Sequence, residues 1–129
     1  MPQVSHKNIV LLLEEDPINT KIVQKMLSYF GYTTITAHNR LEAGNFLQTR
    51  NVDIILMNID MEGHEWPPIP KIADEIARKA GKQIPIIGFS DKADKTVREN
   101  CLKRGMDDYL PKPIYQKELC RVLHTCRAF

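Results

Sequence analysis

The chain has 129 residues, of which 43% are hydrophobic and 26% charged, and its formal net charge is +2. This length suits one domain with a sizeable core, and so small a charge argues against nucleic acid as a partner. No apolar run is long enough to span a membrane, and the start of the chain lacks a signal-peptide core, so we expect a cytoplasmic protein.

The cysteines and histidines form no recognisable metal or redox motif. No C-x-x-C pair is present, and we expect reduced thiols at all three cysteines, which are Cys101, Cys120 and Cys126. The four histidines are scattered without metal-ligand spacing, and we expect surface positions for His6, His38, His64 and His124.

Apolar patterning predicts that strands alternate with helices from the start of the chain. Ile9–Leu13 is a short, continuous apolar run, which is typical of a buried strand. Apolar residues then recur at helical spacing over residues 18–30. Asp16 suits the N-cap of this helix, Pro17 its first position, and Gly31 its end.

The next unit leads to the central stretch of the chain. Thr33–Ala37 is a β-branched second strand, and Asn39 followed by Glu42 predicts a capping box at the start of the second helix. Residues 53–61 then contain a continuous apolar run, which indicates a strand buried on both faces. Asn58 lies at its carboxyl end, where ligands bind in open parallel sheets.

An irregular stretch separates the central strand from the third helix. It covers residues 62–68 and holds the only tryptophan, Trp66, for which packing is the simpler role and covering the site or marking a contact surface the alternatives. The third helix is predicted over residues 69–81. A fourth strand over residues 85–89 follows and ends at Ser90.

The last part of the chain predicts two more helices around a short strand. A more polar helix covers residues 94–104 and stops at Gly105. The fifth strand contains Tyr109 and ends at Lys112. Tyr115 is a poor cap for the last helix, which leaves the start of that helix less sharply defined.

Five strands alternating with five helices predict an α/β, flavodoxin-like (βα)5 fold with a doubly wound, five-stranded parallel sheet. We expect a single domain over residues 8–127, preceded by a tail over residues 1–7.

Polar side chains follow four of the predicted strands and should meet at one edge of the sheet. Two of them, Glu14 and Glu15, could hold a hard cation such as Mg²⁺ through carboxylate oxygens. Ser90 and Lys112 could bind the oxygens of a phosphoryl group. Taken singly, each has an ordinary alternative as a solvated strand end, a turn residue or a surface charge.

The chain resembles the receiver domain of two-component response regulators, the CheY-like fold, over residues 8–127. The resemblance is carried by four segments, which are residues 14–19, 53–58, 85–90 and 105–114. The last of these, with its G-M-D-D-Y-L-x-K-P sequence, is most similar to receivers attached to hybrid histidine kinases and their phosphorelay partners.

The resemblance implies a set of site roles. In the family, an aspartate at the end of the third strand takes a phosphoryl group from a phosphohistidine, and here that position is Asn58. Magnesium would be held by Glu14, Glu15, position 58 and the backbone carbonyl of Asp60. In the family, a hydroxyl and a lysine ammonium bind the phosphoryl oxygens, and here these positions are Ser90 and Lys112. The resemblance also implies a switch formed by Ser90 and Tyr109, with half-buried packing as the alternative for the tyrosine, and a cis bond before Pro113.

The acceptor position departs from the family. Asn58 is a neutral carboxamide and a poor nucleophile, so acyl phosphate formation should fail. Glu15 is one methylene longer than the aspartate usual in the family, and we expect weak magnesium binding. Asp60 is the other candidate acceptor, but it should already lie in the loop. Asn58 is either natural or introduced, and the altered acidic pair favours a natural change.

These residues indicate a signalling module, not an enzyme, that acts through the fourth helix, fifth strand and fifth helix. Its partners would be a histidine kinase, a phosphotransfer protein or a downstream signalling protein, and the resemblance also implies a weak homodimer through the fourth and fifth helices. One alternative is an active receiver that is phosphorylated despite Asn58. Another is a flavodoxin-like flavin carrier or enzyme, which the acidic, proline-containing loop at residues 14–17 disfavours because it would repel a flavin phosphate.

Overall fold

The computed structural model describes residues 8–60, 68–92, 95–103 and 105–127. The strands are β1 (Ile9–Leu13), β2 (Thr33–Ala37), β3 (Ile54–Asn58), β4 (Ile86–Ser90) and β5 (Asp108–Pro111). The helices are α1 (Pro17–Tyr29), α2 (Arg40–Thr49), α3 (Pro68–Ala80), α4 (Lys95–Lys103) and α5 (Gln116–Arg127). The strands form one sheet in the order β2-β1-β3-β4-β5, and all neighbours are parallel. The predicted flavodoxin-like fold is confirmed.

The core consists of two layers, one on each face of the sheet. Leu11 and Leu13 of β1 pack with α2 and α3, whereas Val10 and Leu12 pack with α1 and α5. This alternation follows from the two-residue period of a strand. Because both faces are covered, the strand reads as a continuous apolar run, and each fully buried leucine contributes about 1.5–3 kcal/mol.

Side chains at the helix starts stabilise α1 and α2. Asp16 accepts a hydrogen bond from the amide of Ile18 at 3.2 Å, and Asn39 accepts one from the amide of Glu42 at 2.9 Å. The Glu42 carboxylate accepts from the amide of His38 at 2.8 Å. The predicted capping box is therefore right in its first half, while in the second half the glutamate bonds the amide before the cap.

Several element ends differ slightly from the predicted ones. α3 begins at Pro68, which the sequence placed in the irregular stretch; a proline fits a first helical turn because its missing N–H would have no partner there. β5 ends at Pro111, one residue before the predicted Lys112, and α4 is described over Lys95–Lys103. The predicted tail at residues 1–7 and the loop with Trp66 at residues 61–67 lie outside the described residues.

None of the described helices is long and apolar enough to cross a membrane. His38 and His124 are exposed, as predicted, and Cys120 lies exposed on α5 with a free thiol. His6 and His64 lie outside the described residues, as do the side chains of Cys101 and Cys126.

Candidate functional site

Buried polar side chains gather at the carboxyl edge of the sheet. Glu14 directly follows β1, Asn58 ends β3 and Ser90 ends β4; their exposed fractions are 0%, 5% and 0%. A buried polar group is costly unless it is hydrogen-bonded, so their partners define what this edge can do.

Both the nitrogen and the oxygen of the Asn58 carboxamide are hydrogen-bonded. Its Nδ2 donates to Oε2 of Glu14 at 3.0 Å, and its Oδ1 accepts from the backbone amide of Asp60 at 2.9 Å. Glu14 Oε2 also accepts from the backbone amide of Asp16 at 3.0 Å. The amide therefore links the end of β1 to the turn after β3.

Asp60 lies in that turn, and its carboxylate reaches the ends of β4 and β5. Its Oδ1 accepts from Ser90 Oγ at 2.7 Å, and its Oδ2 accepts from the backbone amide of Asp91 at 2.7 Å. Lys112 Nζ lies 3.2 Å from the same Oδ2. Three donors from two strand ends thus converge on one carboxylate.

These donors lower the pKa of Asp60. Partial burial raises the pKa of this carboxyl, but the Asp91 amide, the Ser90 hydroxyl and the Lys112 ammonium together outweigh burial and hold the pKa below its usual value. The side chain is therefore a carboxylate, and the ion pair with Lys112 is well shielded, since the two side chains are only 20% and 15% exposed.

The segment after β4 is tied to the same centre. Ser90 Oγ accepts from the backbone amide of Lys92 at 2.9 Å while it donates to Asp60. The hydroxyl of Tyr109 donates to the backbone carbonyl of Lys92, and the tyrosine ring is buried. Lys112 Nζ also lies 5.8 Å from the ring centroid of Phe89, and the peptide bond after it, Lys112–Pro113, is cis.

The side chains at this edge fit a magnesium ion poorly. The amide nitrogen of Asn58 faces Glu14 and cannot bind a cation, and its oxygen is neutral and already accepts one hydrogen bond, which leaves a single lone pair for a metal. Glu15 is exposed, and the described ranges contain no group of three or more acidic, histidine or cysteine side chains that could hold a metal. Among the described residues of this site, Glu14 Oε1 is the one buried side-chain oxygen without a hydrogen-bond partner.

The structure thus brings together most of the predicted site residues, namely Glu14, Asn58, Asp60, Ser90 and Lys112. Sequence reasoning missed that the carboxylate of Asp60 pairs with Ser90 and Lys112, because it gave Asp60 a backbone-carbonyl role and otherwise treated it only as a substitute acceptor. The one signal was Asn58, which leaves Ser90 and Lys112 without an acidic partner but does not say which acid replaces it.

Comparison with known proteins identifies the family. Residues 10–124 match the response regulator receiver domain family. The sensor histidine kinase GacS of Pseudomonas protegens is 29% identical over 115 residues, which are 88% of this chain and 12% of that kinase. The hybrid signal transduction protein dokA of Dictyostelium discoideum is 31% identical over 121 residues, which are 94% of this chain and 7% of that protein. The chain therefore corresponds to a small part of these relatives.

Solved structures that resemble this chain support the same family. The receiver domain of the sensor histidine kinase PA1611 from Pseudomonas aeruginosa PAO1, solved with a magnesium ion in its active site cleft, superposes with a TM-score of 0.76 at 29% identity and covers 96% of this chain and 100% of that one. A response regulator from Thermotoga maritima, at 23% identity, shows the same fold with a TM-score of 0.78 and covers 96% and 100% of the two chains. A receiver is a signalling module and not itself an enzyme. The chain therefore belongs to the response regulator receiver domain family of two-component signalling, whose members also occur within hybrid sensor histidine kinases.

Proposed function

We propose that this receiver does not accept a phosphoryl group at its usual position and that it signals through protein–protein contacts. The observation that carries this proposal is the state of Asn58. A neutral carboxamide is a poor nucleophile, and here both ends of the amide are already hydrogen-bonded, to Glu14 and to the amide of Asp60. The side chain acts as a structural link where an acceptor would need a free carboxylate.

Weak magnesium binding belongs to the same proposal. A magnesium ion needs oxygen ligands in near-ideal octahedral geometry, and an amide hydrogen directed at Glu14 replaces the cation as the partner of that carboxylate. The receiver of PA1611 shares this fold and was solved with a magnesium ion in its active site cleft, so the fold itself does not prevent magnesium binding. We expect magnesium affinity to rise when position 58 is made acidic.

Two exposed surfaces could receive a partner such as a histidine kinase, a phosphotransfer protein or a downstream signalling protein. On α1, Ile18 and Ile22 are 70% and 48% exposed, and Ile22 borders a cavity of about 250 Å³ beside Lys112. On the α4–β5–α5 face, Leu102 and Tyr115 are exposed. Exposed apolar groups favour protein contact, and a homodimer through α4 and α5 stays a prediction.

Incubation with acetyl phosphate and magnesium, followed by intact-mass spectrometry, tests the loss of phosphoryl transfer. We expect the unmodified chain to keep its mass, because no free carboxylate lies at the acceptor position. A gain of one phosphoryl group would overturn the proposal and support an active receiver, and peptide mapping would then locate the acceptor.

The flavin alternative from the sequence gains no support from the matched family. The absorbance spectrum of the purified protein tests it: a flavin band would contradict the receiver assignment of the site.

A further inference from the structure

We propose that the Asp60 carboxylate is a built-in ligand of the anion pocket formed by Ser90, the Asp91 amide and Lys112, and that it keeps small oxyanions such as phosphate out of that pocket. This inference concerns contacts within the chain. It holds or fails independently of whether Asn58 accepts a phosphoryl group.

Three donors surround the Asp60 carboxylate, and this arrangement is the first support for the inference. Three donors of different kinds, a hydroxyl, a backbone amide and an ammonium, lie 2.7, 2.7 and 3.2 Å from the two oxygens of Asp60. Donors of these kinds that converge on one point form an anion site, and the two hydrogen bonds to the carboxylate at 2.7 Å are among the stronger ones in proteins. An external oxyanion would need the same donors.

The position of Asp60 in the chain keeps its carboxylate in place. The backbone amide of Asp60 is hydrogen-bonded to Asn58 Oδ1, and Asn58 is itself buried and bonded to Glu14. The main chain at position 60 is therefore fixed from one side while its side chain is fixed from the other. Because the ligand is tethered, it competes at a high effective concentration with any free anion.

The contacts of Ser90 extend the effect to the segment after β4. The hydroxyl that donates to Asp60 also accepts from the amide of Lys92, and the carbonyl of Lys92 accepts from Tyr109. Asp91 is held directly through its amide. Asp60 thus fixes the end of β4 without any added ligand, and it is linked through Ser90 and Lys92 to the hydroxyl of the buried tyrosine.

Titration with inorganic phosphate, followed by the amide NMR signals of Asp91 and Lys92, tests the inference. We expect the unmodified chain to bind phosphate weakly and Asp60→Ala to bind it at least about tenfold more tightly, since a pocket filled more than nine-tenths of the time loses that factor in apparent affinity. Asp60→Asn, which removes the charge at similar size, should give an intermediate gain.

Glu99→Gln is the matched control. Glu99 is exposed on α4, outside the pocket, so the change removes one negative charge and leaves the donors of the pocket in place. This variant should bind phosphate like the unmodified chain. If it gains as much affinity as Asp60→Ala, general charge removal explains the effect and the inference fails; it also fails if the unmodified chain binds phosphate as tightly as Asp60→Ala.

A second measurement needs no variant. Because the amide of Asp91 donates to Asp60 although residue 91 is exposed, its hydrogen exchange in the unmodified chain should be slowed at least about tenfold relative to an open segment. Exchange at the rate of an unstructured amide would overturn the inference even if both Asp60 variants failed to fold.

Discussion

Replacing Asn58 by aspartate is expected to restore phosphoryl transfer only slowly, and the double change Asn58→Asp with Asp60→Ala is expected to restore it efficiently. A new carboxylate supplies the nucleophile, but Ser90 and Lys112 remain bound to Asp60 and cannot stabilise the incoming phosphoryl oxygens. Loss of such stabilisation is costly in phosphoryl transfer, so the double variant should gain its phosphoryl group roughly tenfold to a hundredfold faster. Time-resolved intact-mass spectrometry with acetyl phosphate and magnesium measures both rates.

The control pairs Asn58→Asp with Glu99→Gln. That variant has the same new nucleophile and loses one exposed acid on α4, but it leaves the pocket filled by Asp60. It should react as slowly as Asn58→Asp alone. Equal rates for all three variants would show that Asp60 does not obstruct the pocket.

The second large effect concerns stability. Without a metal, Asn58→Asp should lower the free energy of unfolding by about 2–4 kcal/mol, because the hydrogen bond at 3.0 Å becomes a contact between two carboxylates buried from water. Millimolar magnesium should restore part of this loss by binding only the folded variant. Urea unfolding in chelator and in magnesium measures both effects.

Asn45→Asp is the matched control for that experiment. Asn45 is exposed on α2, so the same chemical change should alter stability by less than about 0.5 kcal/mol and should respond little to magnesium. An Asn58→Asp protein as stable as the unmodified chain in chelator would mean that the bond between Asn58 and Glu14 does not form.

The sheet could be predicted because a strand that is buried on both faces has a continuous run of apolar residues in the sequence. β3 and β4 are buried along their whole length, and both read as short, mainly apolar runs that end in a polar residue, Asn58 and Ser90. Their positions at one sheet edge then follow from parallel topology alone. The cap of α1 at Asp16 was equally local, since it depends on one residue and the next turn.

The role of Asp60 could not be predicted in the same way. Strand periodicity ends at Asn58, and beyond it the direction of a side chain depends on the turn, which the hydrophobic pattern does not determine. The contact also joins residues 30 positions apart, from Asp60 to Ser90. Similarly, the choice of His38 as the partner of Glu42 depends on local backbone geometry that the capping pattern leaves open.

A crystal structure of the unmodified chain, grown with magnesium and phosphate, tests most directly whether Asn58 and Asp60 together take the places of metal and phosphoryl group. We predict that Asn58 will be hydrogen-bonded to Glu14 and to the Asp60 amide. The Asp60 carboxylate will contact Ser90 and Lys112, and neither magnesium nor phosphate will be bound at these side chains. A magnesium ion bound to Glu14, or a phosphate on Ser90 and Lys112 with the Asp60 side chain turned away, would contradict this account.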